Sequence, residues 1–255
     1  MTVRRAPPPR LDGVLAGSAE PVFRVLPQRI LEDLRHPSSE SSLLWNLVYP
    51  RAQPTLSLRS LLELSALWGS HLELEDEGLR PYYWGFDLSG ERLDGLETVL
   101  EAVDGRGQQT EVDLFLLGER QLVLVEAKRL GGLGRCGRYL SARCPEIHLP
   151  DQAGCRYWEI SAAMFNGGLA FGSRPTPGSD SPPCNQHYQL ARTLKVGSAL
   201  AAELNRQLHL WLWAPRARWP ALEGDWLDFA DRVTDAAIWR HLRVFDWEAI
   251  RKLPT

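Results

Sequence analysis

Four ionisable side chains, Glu111, Asp113, Glu126 and Lys128, lie in or beside the two apolar runs of the stretch TEVDLFLLGERQLVLVEAKR at residues 110–129. The runs 112–117 and 122–127 are rich in Val and Leu, and Gly118-Glu119-Arg120-Gln121 between them supplies the tight turn of a β-hairpin. With Glu119 and Arg120 as a two-residue loop, Gly118 pairs with Gln121, which sets Asp113 opposite Glu126 and Glu111 opposite Lys128. Side chains alternate along a strand, so these four share a face with Leu122 and Leu124, while Val123, Val125 and Ala127 take the other. Two carboxylates facing each other across a strand pair repel, and their burial is costly unless a cation neutralises them. Mg2+ is held by one or two carboxylates with water and substrate phosphate. An ammonium two residues along the strand can reach the same phosphate or the attacking water. These residues therefore fit cation-assisted phosphodiester chemistry. The bland reading of the same charges is a Glu111–Lys128 salt bridge at a sheet edge, with Asp113 and Glu126 solvated.

The elements that must position this hairpin follow from periodicity. Residues 1–20 read as a loose arm, and PQRILEDLRHPSSESSLLWNLVYP as two short helices capping the sheet. In TLSLRSLLELSALWGSHLE, Leu58, Leu61, Leu62 and Ala66 recur at helical spacing, with Thr55 or Ser57 as N-cap, Gly69 near the end and Glu63 inside. Residues 78–96 read as loop or irregular hairpin, and ETVLEAV as a strand that would make, with the hairpin, a three-strand meander. After a long Gly-, Pro- and Cys-rich insertion at 130–185, Leu190, Leu194, Ala201 and Leu204 mark a helix weakened by Gly197, and LHLWLWAP a strand ended by Pro215. A helix and then a strand after a meander implies a crossover and a mixed α/β sheet. The division is thus 1–54 for arm and capping helices, 55–214 for the core, and 215–255 for a terminal helix and strand packing on it.

This order of helix, three strands, helix and strand, with Asp113 at the second strand and Glu126-x-Lys128 on the third, resembles the PD-(D/E)xK nuclease superfamily over residues 55–130 and 186–214. The resemblance implies a restriction-endonuclease-like αβββαβ core with a mixed central sheet flanked by helices. It also implies Asp113 and Glu126 as ligands of Mg2+ or Mn2+, and Lys128 as the residue that orients or helps deprotonate water. Glu63 would complete the metal shell, with Glu97 and Glu101 as rivals. Gln189 matches the Gln often found on the following helix, but Thr193 stands where Tyr is usual, and no Pro precedes Asp113; these departures bear on the subfamily. The activity implied is metal-dependent hydrolysis of DNA, an endonuclease ahead of an exonuclease, leaving a 5'-phosphate. The competing readings are a noncatalytic nucleic-acid- or partner-binding module on the same scaffold, and another phosphate-cleaving or sugar-modifying enzyme with a similar carboxylate pair.

All four cysteines, Cys136, Cys144, Cys155 and Cys184, fall in the insertion. Reduced, they could hold one Zn2+ as a staple, with His148 or His187 able to replace a ligand. An iron–sulfur cluster and four separate thiols are the alternatives. Their spacings of seven, ten and twenty-eight residues contain no CxxC knuckle. Arg135, Arg138, Arg143 and Arg156, with Tyr139, Tyr157 and Trp158, form a candidate surface closing over nucleic acid, and Gln189, Arg192 and Lys195 repeat at helical spacing after it. The alternatives there are cation–π packing within a loop-rich subdomain and a solvated helix face.

Composition sets the remaining bounds. With 255 residues and a net charge of -3, the chain is long enough for a substantial core and is not a generally basic nucleic-acid binder, so any DNA contact is local. No stretch reaches the length of a membrane span, and MTVRRAPPPR lacks a signal-peptide core, which reads as cytoplasmic. No P-loop, helicase motif or DNA-reading module occurs, which leaves a protein partner as a source of specificity.

Overall fold

The hairpin turn fixes the centre of the fold. The Gly118 amide donates to the Gln121 carbonyl at 2.9 Å, and the Glu77 carboxylate accepts from the Arg120 and Gln121 amides, each at 3.0 Å. In this computed structural model, residues 13–107, 109–149, 154–159 and 167–254 are described. The strands are β1 (Leu56–Ser57), β2 (Ala66–Trp68), β3 (Gly78–Tyr83), β4 (Leu114–Leu117), β5 (Gln121–Ala127), β6 (Gln207–Ala214) and β7 (Leu242–Asp246). They form a seven-stranded mixed sheet in the order β1-β3-β4-β5-β6-β7-β2. β3, β4 and β5 run antiparallel in succession, and β5, β6 and β7 are parallel. Leu114 faces Val125 and Leu117 faces Leu122, the register counted from the turn.

Every residue of β5 is buried, as suits a strand in the middle of a sheet covered on both faces. Leu122 and Leu124 pack with Phe115 under the helices Leu96–Asp104, Tyr188–Leu204 and Trp219–Asp231. Val123, Val125 and Ala127 pack with Leu114 and Leu116 under Gln28–Leu34, Glu40–Val48, Leu58–Leu62 and Trp247–Arg251. The crossover from β5 to β6 runs through Tyr188–Leu204. Gly197 lets this helix approach the sheet, because a Cβ there would meet Leu124 Cδ2 and Leu208 Cδ1 at 2.9 Å.

Three expectations are corrected. ETVLEAV is helical: Leu96, Val99, Leu100 and Val103 recur at i, i+3, i+4 and i+7 and are all buried, and this period outweighs the strand preference of Val and Thr. The meander's first strand is instead β3, within the segment read as loop, where Leu79, Tyr82 and Tyr83 bury against the sheet. The helix read across 55–68 is only Leu58–Leu62. Ala66–Trp68 leaves it to pair with β7, where Ala66 faces Phe245, so the apolar residues past Glu63 serve a sheet edge.

Residues 1–12 lie outside the described residues, but the rest of the expected arm is tied down. Leu15 is buried, Trp45 Nε1 donates to the Ala16 carbonyl at 2.7 Å, and Asn46 Nδ2 donates to that of Val14 at 2.9 Å. The segment 130–185 carries the short helices Gly137–Leu140, Arg156–Glu159 and Pro183–Gln186, and its Leu133, Trp158, Leu169 and Phe171 join the core beneath Tyr188–Leu204. The terminal segment supplies β7 within the sheet as well as helices packed on it. Among the described residues, no helix is long and apolar enough to cross a membrane.

Candidate active site

Beyond Leu114 the β4–β5 ladder gives way, and a side chain continues it: Asp113 Oδ2 accepts from the Ala127 amide at 2.8 Å. The Asp113 carbonyl accepts from Trp84 N–H at 3.2 Å, anchoring the residue to β3 as well. Glu126, fully buried on β5, is aligned with Leu212 of β6. Lys128, one residue past the strand, keeps the parallel ladder by donating its amide to Trp213 at 2.8 Å, and its Nζ lies 2.7 Å from Glu126 Oε1. Gln189, at the start of the crossover helix, donates its side-chain amide to the same oxygen. Glu126 Oε2, by contrast, has no hydrogen-bond partner. An unpartnered carboxylate oxygen in a dry site is costly and fits a place for a cation.

The electrostatics follow from burial. Burial and the charge of Asp113 push Glu126 up to about 8. Burial also raises Asp113, against the pull of Lys128. Burial opposes the charge on Lys128 too, yet Glu126 and Asp113 hold it above the usual ammonium range. The pair thus retains a proton near neutrality, while Lys128 stays charged.

Asp113 and Lys128 line a cavity of about 560 Å³ together with Gln189, Arg135, Arg192 and Glu40. Glu40 is a residue that the sequence reading missed. It opens the helix Glu40–Val48 behind the Ser39 N-cap, its Oε1 accepts from the amides of Arg129 at 2.8 Å and Leu130 at 3.0 Å, and its Oε2 lies 3.9 Å from Lys128 Nζ. The Ser-Glu helix start is legible in SSESS, but nothing local tells that this helix ends against β5. Glu63 is exposed at the C-cap of Leu58–Leu62, and Glu97 and Glu101 are exposed on Leu96–Asp104; none of the three lines the cavity. Glu111 pairs with Arg29 rather than Lys128. Arg192 reaches the cavity but is held by Asp104, at 3.1 Å, while Lys195 lies away from it.

Two of the aromatic residues expected on the surface of 130–185 are not on it. Tyr157 and Trp158 are buried, Tyr157 Oη donates to Asp104 Oδ1 at 2.7 Å, and Arg156 caps the carbonyls at the end of Leu96–Asp104. Arg135, Arg138 and Arg143 are exposed, and of these Arg135 reaches the cavity. The four cysteines, separated in sequence, all line one small second cavity. His187 pairs with Asp228 at 2.6 Å, and His148 accepts from the Cys144 amide at 3.3 Å; neither lines that space. Among the described residues, no three His, Cys, Asp or Glu side chains stand in ready metal-ligating geometry.

No protein-family model, curated protein or solved structure matches the chain.

Proposed function

We propose that the protein is a divalent-cation-dependent nuclease that hydrolyses phosphodiester bonds of DNA on a restriction-endonuclease-like core. The observation that carries this reading is that Asp113 and Lys128 line one cavity while Lys128 contacts the fully buried Glu126, whose Oε2 is unpartnered. In support, β3, β4, β5, the crossover helix and β6 follow one another as in the implied βββαβ, with the helix Leu96–Asp104 inserted between β3 and β4. Glu40, which lines the cavity where Glu63 does not, would take the role that the resemblance implies for a helix-borne carboxylate.

Asp113 and Glu126 would hold Mg2+ or Mn2+, with Glu40 next to them. Such a cation polarises a phosphoryl oxygen and lowers the pKa of bound water. Lys128, held charged by its two acidic neighbours, is suited to donating hydrogen bonds to the attacking water or a phosphate oxygen, and unsuited to removing a proton. Gln189 orients Glu126 by donating to Oε1, which leaves Oε2 free to ligate the cation that the site would hold. Arg135 at the cavity rim supplies positive charge for the phosphate backbone.

A second reading, a noncatalytic nucleic-acid- or partner-binding module, is favoured by the Lys128–Glu126 contact, which balances the buried charge without a metal. Titrating Mg2+ and Mn2+ against DNA, RNA and mononucleotides separates the two. Cation-dependent loss of DNA supports the nuclease. Tight DNA binding with every substrate intact at all cation concentrations supports the module. Turnover confined to mononucleotides moves the assignment to another phosphate-cleaving enzyme.

A further inference from the structure

Cys136, Cys144, Cys155 and Cys184 are brought together from three separate stretches of chain. They line a cavity of about 20 Å³ with Tyr139, Glu146 and Trp158. A space of this size holds one water or one ion. The thiols are close enough to act on one another electrostatically: Cys155 faces Cys136 and Cys144, and Cys184 faces all three others.

The backbone around each thiol is already pinned. The Cys136 amide donates to the carbonyl and to the side-chain oxygen of Asn185, at 3.1 and 3.2 Å, which ties it to the helix carrying Cys184. The Cys155 amide donates to Glu146, whose carboxylate also binds Arg174. The Tyr157 amide favours thiolate on Cys155, and the Trp158 indole does so on Cys184. The sulfurs surround the space without closing to ligating distance, and a side-chain rotation at each is what metal binding would require.

We propose that these four cysteines bind one Zn2+ as a tetrathiolate site. The cation would replace four half-buried S–H groups by ligands and contribute folding free energy to the segment 130–185, whose described helices are each a single turn. It would also brace the candidate active site, a consequence that rests on the nuclease reading. Gly134, two residues before Cys136, accepts from the Gln189 amide at 3.2 Å, and Cys184 lies five residues before Gln189. One ion would thus fix both segments that hold Gln189 against Glu126.

The test is metal analysis of the reduced full-length protein purified without added zinc, with thiol titration by DTNB before and after chelation, and Co2+ titration of the apoprotein. The proposal expects one zinc per chain, four thiols that become reactive together as zinc leaves, and the intense visible absorption of tetrahedral Co2+–thiolate. Cys144→Ser should bring zinc well below one per chain, while Asp113→Asn should retain it in full whatever happens to cleavage. A folded, reduced, metal-free protein with four independently reactive thiols and no Co2+ spectrum would overturn the proposal. So would iron with acid-labile sulfide, a mass showing disulfides, or substoichiometric zinc unchanged by Cys144→Ser.

Discussion

Lys128 Nζ and Glu126 Oε1 meet at 2.7 Å from two positions on the same edge of the β5 chain, while the second oxygen of Glu126 faces no donor. Half of a buried carboxylate is neutralised and half is left for something that the protein does not supply. A satisfied structural ion pair would spend both oxygens. Under the proposed reading, that second oxygen is where the cation would bind.

The first consequence is a pH-dependent stability. Glu126 rises from an ordinary 4.5 to about 8 on folding, so between those values the folded state holds a proton that the unfolded state has lost. The contribution of Glu126 to stability is therefore greatest below 4.5 and falls as pH climbs towards 8. Thermal unfolding in EDTA should show this decline, Mn2+ should flatten it at the alkaline end, and Glu126→Gln should flatten it without metal. Equal slopes in wild type and variant would remove Glu126 as the titrating group.

Glu40 has two duties that substitutions can separate. Its Oε1 holds the Arg129 and Leu130 amides, and its Oε2 faces Lys128. Glu40→Ala should cost about 1–3 kcal/mol in denaturant unfolding by leaving backbone donors unmade. Glu40→Gln retains an acceptor and should unfold within about 1 kcal/mol of wild type, yet cleave more slowly.

Gly134 controls Gln189 at a distance of one van der Waals contact. Its φ of +75° is left-handed, and a Cβ there would fall 2.7 Å from Gln189 Cβ. Gly134→Ala should lower kcat by pushing the Gln189 amide off Glu126, with Gln189→Ala showing a comparable loss and the double variant little more. Additive losses would show that Gly134 acts elsewhere.

Arg135 is exposed at the cavity rim. If it contacts the phosphate backbone, Arg135→Ala should weaken DNA binding alike for all sequences and reduce the slope of log affinity against log salt by about 1. An unchanged slope would place the backbone on another part of the surface.

The hairpin and its register were readable because a two-residue turn between runs of Val and Leu leaves one alignment that buries both. The crossover helix and β6 were readable for the same reason, since a long apolar period and an eight-residue strand leave little choice. β3 was hidden by Tyr82, Tyr83 and Trp84 among turn residues, and the Leu96–Asp104 helix by its β-branched residues. Glu40 was illegible because its role depends on where the helix start meets the chain after β5, 89 residues later, at Arg129. The convergence of the cysteines likewise depends on tertiary packing, which spacings without a CxxC knuckle do not encode.

The most direct test of the central claim is cleavage of linear and circular DNA by the purified protein with Mg2+ or Mn2+, beside EDTA, Asp113→Asn and Lys128→Ala, each variant checked for folding by circular dichroism. The account predicts cation-dependent cutting that EDTA abolishes and that each substitution reduces by at least roughly 100-fold, with nicking or linearisation of the circle marking an endonuclease. Wild-type cutting by Asp113→Asn, or no cutting at all by folded protein that binds DNA in the presence of either cation, would contradict it.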